Sequence, residues 1–210
     1  MRPWILAALL VPAAIAAQGV PPPVAPAIRS AADEIRYARS AAPAEISRGA
    51  KVWVLKNGRY VVAEPGTSGV ACQVGRNSPT SFEPQCGDAE ADSTILAIFR
   101  FRTEERLAGR STQEIKADVD RGIASGRLHA PRRPALVYME SSSQVLSDPD
   151  GKHRSHFMPH LMMFYPGMTN SSMGIVASKS ADVPNVTLEG TAISGLIVIT
   201  REWVDPDKDR

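Results

Sequence analysis

Charge of either sign is nearly balanced in this chain: 24 lysines and arginines against 22 aspartates and glutamates leave a formal net charge of +2. That balance sets up no field strong enough to gather nucleic acid or an anionic membrane surface. There is no internal repeat. There is no Gly-x-Ser-x-Gly elbow, His-Glu-x-x-His, P-loop, Gly-x-Gly-x-x-Gly or Cys-x-x-Cys-His. The motifs of serine hydrolysis, zinc proteolysis, nucleotide binding and covalent haem are therefore all missing. No apolar run reaches the roughly 20 residues that cross a bilayer. Cysteine is scarce, with two residues in the whole chain.

What is present starts with MRPWILAALLVPAAIAAQG. Arg2 precedes an apolar run over 4–17, broken only by Pro12, and Ala14-Ile15-Ala16 has the small-x-small pattern read by signal peptidase. Residues 1–17 are expected to be a signal peptide cut near Ala16 or Ala17. No cysteine stands there to carry a lipid. Residues 18–27, QGVPPPVAPA, then read as a proline-rich extended linker. A content of 43% hydrophobic and 22% charged residues is that of a globular domain. The 17 prolines favour loops and short strands over a helical bundle.

Export changes the meaning of Cys72 and Cys86. In an oxidising compartment, an even pair in a loop-rich stretch is most simply a disulfide. Metal binding by the two thiolates has neither Cys-x-x-Cys spacing nor a nearby histidine to support it.

Along the chain, apolar residues at helical spacing over 28–41 predict an amphipathic helix ended by Pro43. Strands are expected at 51–56 and 59–64, joined by Asn57-Gly58, a pair that tolerates the positive φ angles of a type I′ turn. A third strand over 69–74 would complete an antiparallel meander, with 75–85 as loop. Residues 88–107 read as one helix whose buried stripe is Ile95, Leu96, Ile98, Phe99 and Leu107, with Arg102 and Arg106 late in it to suit its dipole. Ser111-Thr112-Gln113-Glu114 fits a capping box for a helix ending near Ala124. The charged residues Glu114, Lys116, Asp118, Asp120 and Arg121 on it read as a solvated face, and RLHAPRR at 127–133 reads as a solvated basic linker. Strands follow at 135–139, 161–165 and 195–200. Residues 167–190 are expected to be a surface excursion, with a short strand at Ile175-Val176. Asn170-Ser171-Ser172 and Asn185-Val186-Thr187 match the glycosylation acceptor pattern.

Three of the four histidines fall in His153-Arg154-Ser155-His156-Phe157-Met158-Pro159-His160. On a helix, His156 and His160 would share a face, but Pro159 disfavours a helix there. On a strand they would stand about 13 Å apart, too far to share one ion. Only an irregular loop could gather His153, His156 and His160 around zinc or another divalent metal, with Asp150 lending a carboxylate. The preferred reading is solvated His153 and His156 with His160 capping a buried strand. Ser141-Ser142-Ser143 near His153 could be imagined as nucleophile and base, without the other marks of a triad.

Taken together, SAAPAEISRGAKVWV, GTSGVACQV, PQCGD and MPHLMMFYP resemble an uncharacterised family of exported bacterial proteins with two spaced cysteines and a late Pro-His-Leu-Met strand. The resemblance spans about residues 40–165. It implies a bacterial, exported, single-domain protein in which Cys72, Cys86, Pro159 and His160 recur, with His153 and the helix carrying Asp118 as departures.

The order of elements is α+β rather than alternating β-α. The expectation is one α+β domain over 28–204, a small antiparallel sheet with packed helices, followed by a charged tail at 205–210. The protein is expected to be periplasmic or secreted, with no membrane segment after cleavage and no nucleic-acid partner. It is read as a non-catalytic binding or envelope-associated module without cofactor. The alternative is a metal-dependent hydrolase using His153, His156 and His160.

Overall fold

The computed structural model describes residues 23–148, 150–176, 180 and 182–208. The expected signal peptide and the first residues of the linker lie outside that set. The class is α+β, but the sheet is neither small nor wholly antiparallel. Its eight strands run in the order β2-β1-β3-β4-β5-β8-β10-β9, with a separate ribbon formed by β6 (Leu146–Ser147) and β7 (Arg154–Ser155).

The hairpin of β1 (Lys51–Lys56) and β2 (Arg59–Glu64) forms as expected, with Asn57 and Gly58 at φ 52° and 79°. The meander does not. β3 (Ala71–Gly75) lies parallel to β1 on the side away from β2, pairing Lys51 with Ala71 and Val52 with Cys72. The crossover is tied to the start of β1, where Thr67 and Ser68 donate to the Gly49 carbonyl at 2.7 and 3.1 Å. Gly66 permits the close pass: a Cβ there would stand 2.1 Å from the Lys51 nitrogen.

Part of the expected loop is also strand. β4 (Glu83–Gly87) pairs antiparallel with β3, placing Cys86 opposite Cys72. Pro84 stands opposite Val74 of β3, while β5 (Ala135–Met139) joins only at Cys86 and Gly87, so no β5 residue is paired with the proline. β8 (His160–Phe164) and β10 (Gly195–Ile199) extend the sheet antiparallel, and β9 (Asn185–Thr187) closes its edge. β9 lies inside the expected surface excursion, where Met168 and Val186 are buried. Ile175-Val176 is not a strand, and Val176 is 80% exposed.

Alternation along the strands sorts the core into two layers. Val52, Val54, Cys72, Val74 and Cys86 pack beneath Ala38 of α1 (Ala31–Arg39) and against Ala41 and Ala42 ahead of α2 (Ala44–Ser47). On the other face, Ala135, Val137, Met139 and Phe164 pack against Ala91 of α3 (Ala89–Ser93) and Ile95 and Leu96 of α4 (Ile95–Leu107). Gly87 lets α3 sit directly on the sheet, since a Cβ there would meet that of Ala91 at 2.6 Å. The single helix expected over 88–107 is thus two. The chain leaves helical geometry at Thr94 (φ −124°, ψ −86°), and Leu107 is largely exposed rather than part of the stripe. α5 (Thr112–Ala124) starts at the expected capping box, with Ser111 and Glu114 bonding each other's backbone.

The described part of the charged tail folds back. Pro206 is buried, and Asp207 pairs with Arg36 of α1 at 2.5 Å.

Candidate functional site

The histidine segment is split among three environments. Nδ1 of His153 meets the Asp148 carboxylate at 2.9 Å. The His156 ring stands edge-on to Trp203, with centroids 6.5 Å apart. His160, at the start of β8, is 3% exposed, bonds the Met158 carbonyl through Nδ1 at 2.7 Å and packs edge-on against Phe157. Burial holds its pKa below the ordinary imidazole range, and the Met158 carbonyl opposes that only in part. Asp150 is paired with Lys152. Among the described residues, no group of three histidine, cysteine, aspartate or glutamate side chains is placed to hold a metal ion. Ser141 is fully buried, and its hydroxyl lies 2.6 Å from that of Ser40.

Cys72 and Cys86 are joined as a disulfide across β3 and β4. The bond lies within a packed layer, so it staples the sheet and is not itself exposed chemistry.

A cleft that combines an apolar wall with basic side chains lies elsewhere, between α4, α5 and the loop at 188–193. Helical spacing builds its two long walls. Arg102 and Arg106 are one turn apart on α4, as are Ile115 and Val119 on α5, so each pair shares a face. Leu188, Thr191 and Ile193 close one side, Asn77 from the loop after β3 another, and the space enclosed is about 210 Å³.

The polar groups of this cleft are unevenly satisfied. Lys116, at its rim, pairs with Asp120 at 2.8 Å. Arg106 donates from Nε to the Arg76 carbonyl at 3.0 Å. Asn77 donates from Nδ2 to Glu83 at 2.8 Å, while its Oδ1 is buried without a partner. Arg102 is half-buried and packs on an aromatic ring. Its guanidinium lies 5.9 Å from the Phe99 ring centre, and no described residue gives it a hydrogen bond or ion pair. Burial pulls its pKa down, with the charge of Glu83 acting the other way. It remains a cation, because no protein environment strips a guanidinium near neutral pH.

A second cleft, about 270 Å³, is lined by Arg36, Arg39 and Arg48. There Arg36 is paired with Asp207 and Arg39 with Glu64, while Arg39 Nε is buried without a hydrogen-bond partner among the described residues.

In the sequence Arg102 and Arg106 register only as partners of the helix dipole, and 188–190 only as the end of the surface excursion expected over 167–190. The matching turn-spaced pairs, Arg102 with Arg106 and Ile115 with Val119, were the signal available. Comparison with models of protein families, with curated proteins and with solved structures gave no match to this chain.

Proposed function

We propose that this chain is an exported, non-catalytic binding protein whose ligand site is the cleft between α4, α5 and the 188–193 loop. One observation carries the reading: a half-buried guanidinium, Arg102, lines an apolar cleft with only the Phe99 ring against it and no described hydrogen-bond or ion-pair partner. Ligand sites are typically apolar concavities with a few convergent polar groups. A partly desolvated cation with no fixed counter-charge, set beside an apolar wall, is free to pair with an anionic group from outside. The Cys72–Cys86 disulfide suits an oxidising compartment, and no helix among the described residues is long and apolar enough to cross a membrane. A hydrolase built on His153, His156 and His160 would need those rings to converge, and each is turned to a different neighbour.

The test fills the cleft. Thr112 is exposed at its edge in the first turn of α5, so Thr112→Trp can enter the space with little cost to the fold. Small amphiphiles are expected to raise the melting temperature of the parent and not that of the variant. Equal shifts in both would remove the cleft from consideration. Cell fractionation tests export independently: a processed chain in the periplasm or medium, with thiols that resist alkylation, is expected.

A further inference from the structure

Building on that reading, we propose that the cleft takes an amphipathic carboxylate of modest length, with its head on Arg102 and its hydrocarbon body against Ile115, Val119 and Ile193. The planar guanidinium fork matches a carboxylate through two parallel hydrogen bonds, which a hydroxyl or an amine cannot reproduce. The nearby acidic groups are already engaged. Asp120 is held by Lys116 and Glu83 by Asn77, so neither closes on Arg102 at ion-pair distance. Arg106, one turn along α4, adds a second positive charge without a carboxylate partner among the described residues. A bare inorganic anion would satisfy these cations but leave the apolar wall of α5 unused. A cleft of about 210 Å³, open to solvent on one side, has room for a short-chain ligand. A six-carbon fatty acid is of that size.

Hexanoate, hexan-1-ol, hexylamine and inorganic phosphate are titrated into the oxidised protein, followed by calorimetry and ligand-observed NMR. Hexanoate is expected to bind about tenfold or more tightly than hexan-1-ol, the increment of a charge-assisted hydrogen-bonded pair, and hexylamine more weakly than either. Arg102→Gln should bring hexanoate down to the level of hexan-1-ol while leaving the alcohol unchanged. Arg102→Lys, which keeps the charge but loses the fork, should retain part of the preference and serves if the glutamine variant fails to fold. Equal binding of acid and alcohol to the parent, or a preference that survives Arg102→Gln, would overturn the carboxylate assignment while leaving the cleft as a site. Phosphate binding as tightly as hexanoate would also overturn it, in favour of a bare anion site. If no probe binds the parent, or all bind Thr112→Trp unchanged, the binding reading itself fails.

Discussion

Asp92 of α3 and Arg100 of α4 meet at 2.9 Å with side chains only 12% and 11% exposed. The same carboxylate accepts from Lys51 Nζ at 2.9 Å and from Trp53 Nε1 at 3.1 Å, while the Arg100 guanidinium lies 4.2 Å over the Trp53 ring. Arg100 also donates to Gln73 at 2.8 Å. Helices α3 and α4 and strands β1 and β3 are thereby fastened around one ion pair.

Asp92→Ala is therefore expected to cost about 3–5 kcal/mol, because it leaves Arg100 buried without its counter-charge. Urea unfolding measures this. Asp92→Leu combined with Arg100→Met should cost less than the alanine change alone, since an apolar pair leaves no orphaned charge. A double variant as damaged as Asp92→Ala would mean that Lys51 and Trp53 dominate the site.

The disulfide should contribute about 3 kcal/mol, as expected for closing a loop of 14 residues in the unfolded chain. Cys72→Ala with Cys86→Ala is expected to lower the urea midpoint, and the reduced parent should unfold at nearly the same midpoint as that variant. If reduction, verified by alkylation, leaves the parent midpoint where it was, the cross-link plays no part in stability.

The pH dependence follows from His160. Burial lowers its pKa in the folded state, so the unfolded chain binds the proton more readily. The sign is then fixed. The stability associated with neutral His160 is complete above the unfolded value of about 6.5 and is lost as pH falls through the folded value. Urea midpoints measured from pH 8 to pH 5 should decline for the parent and decline less for His160→Gln. Parallel slopes would show that other groups govern acid sensitivity.

Zinc supplies a fourth measurement. With His153 on Asp148, His156 on Trp203 and His160 on a backbone carbonyl, dialysis against zinc should leave less than one equivalent bound and no change in melting temperature. Stoichiometric zinc that disappears in His156→Ala would show that this segment rearranges around the ion.

Much of the local structure was legible because its causes are local. Asn57-Gly58 makes a hairpin turn wherever the chain folds, since those residues accept positive φ. Ser111 and Glu114 start a helix by satisfying backbone donors three residues apart. The apolar runs at 135–139 and 195–199 are strands for similarly short-range reasons. The break at Thr94 was not legible, because helical periodicity continues through it.

By itself, then, the amino-acid sequence determined the hairpin, the capped helix, the apolar strands and the presence of two cysteines able to pair. Each depends on backbone preferences or apolar periodicity within a few residues. Only tertiary structure decided that β3 lies parallel beside β1, that β4 joins the sheet despite Pro84, and that Arg102 faces Ile193 across a cleft. Those outcomes depend on which surfaces bury each other over long separations, where no short-range pattern records the partner.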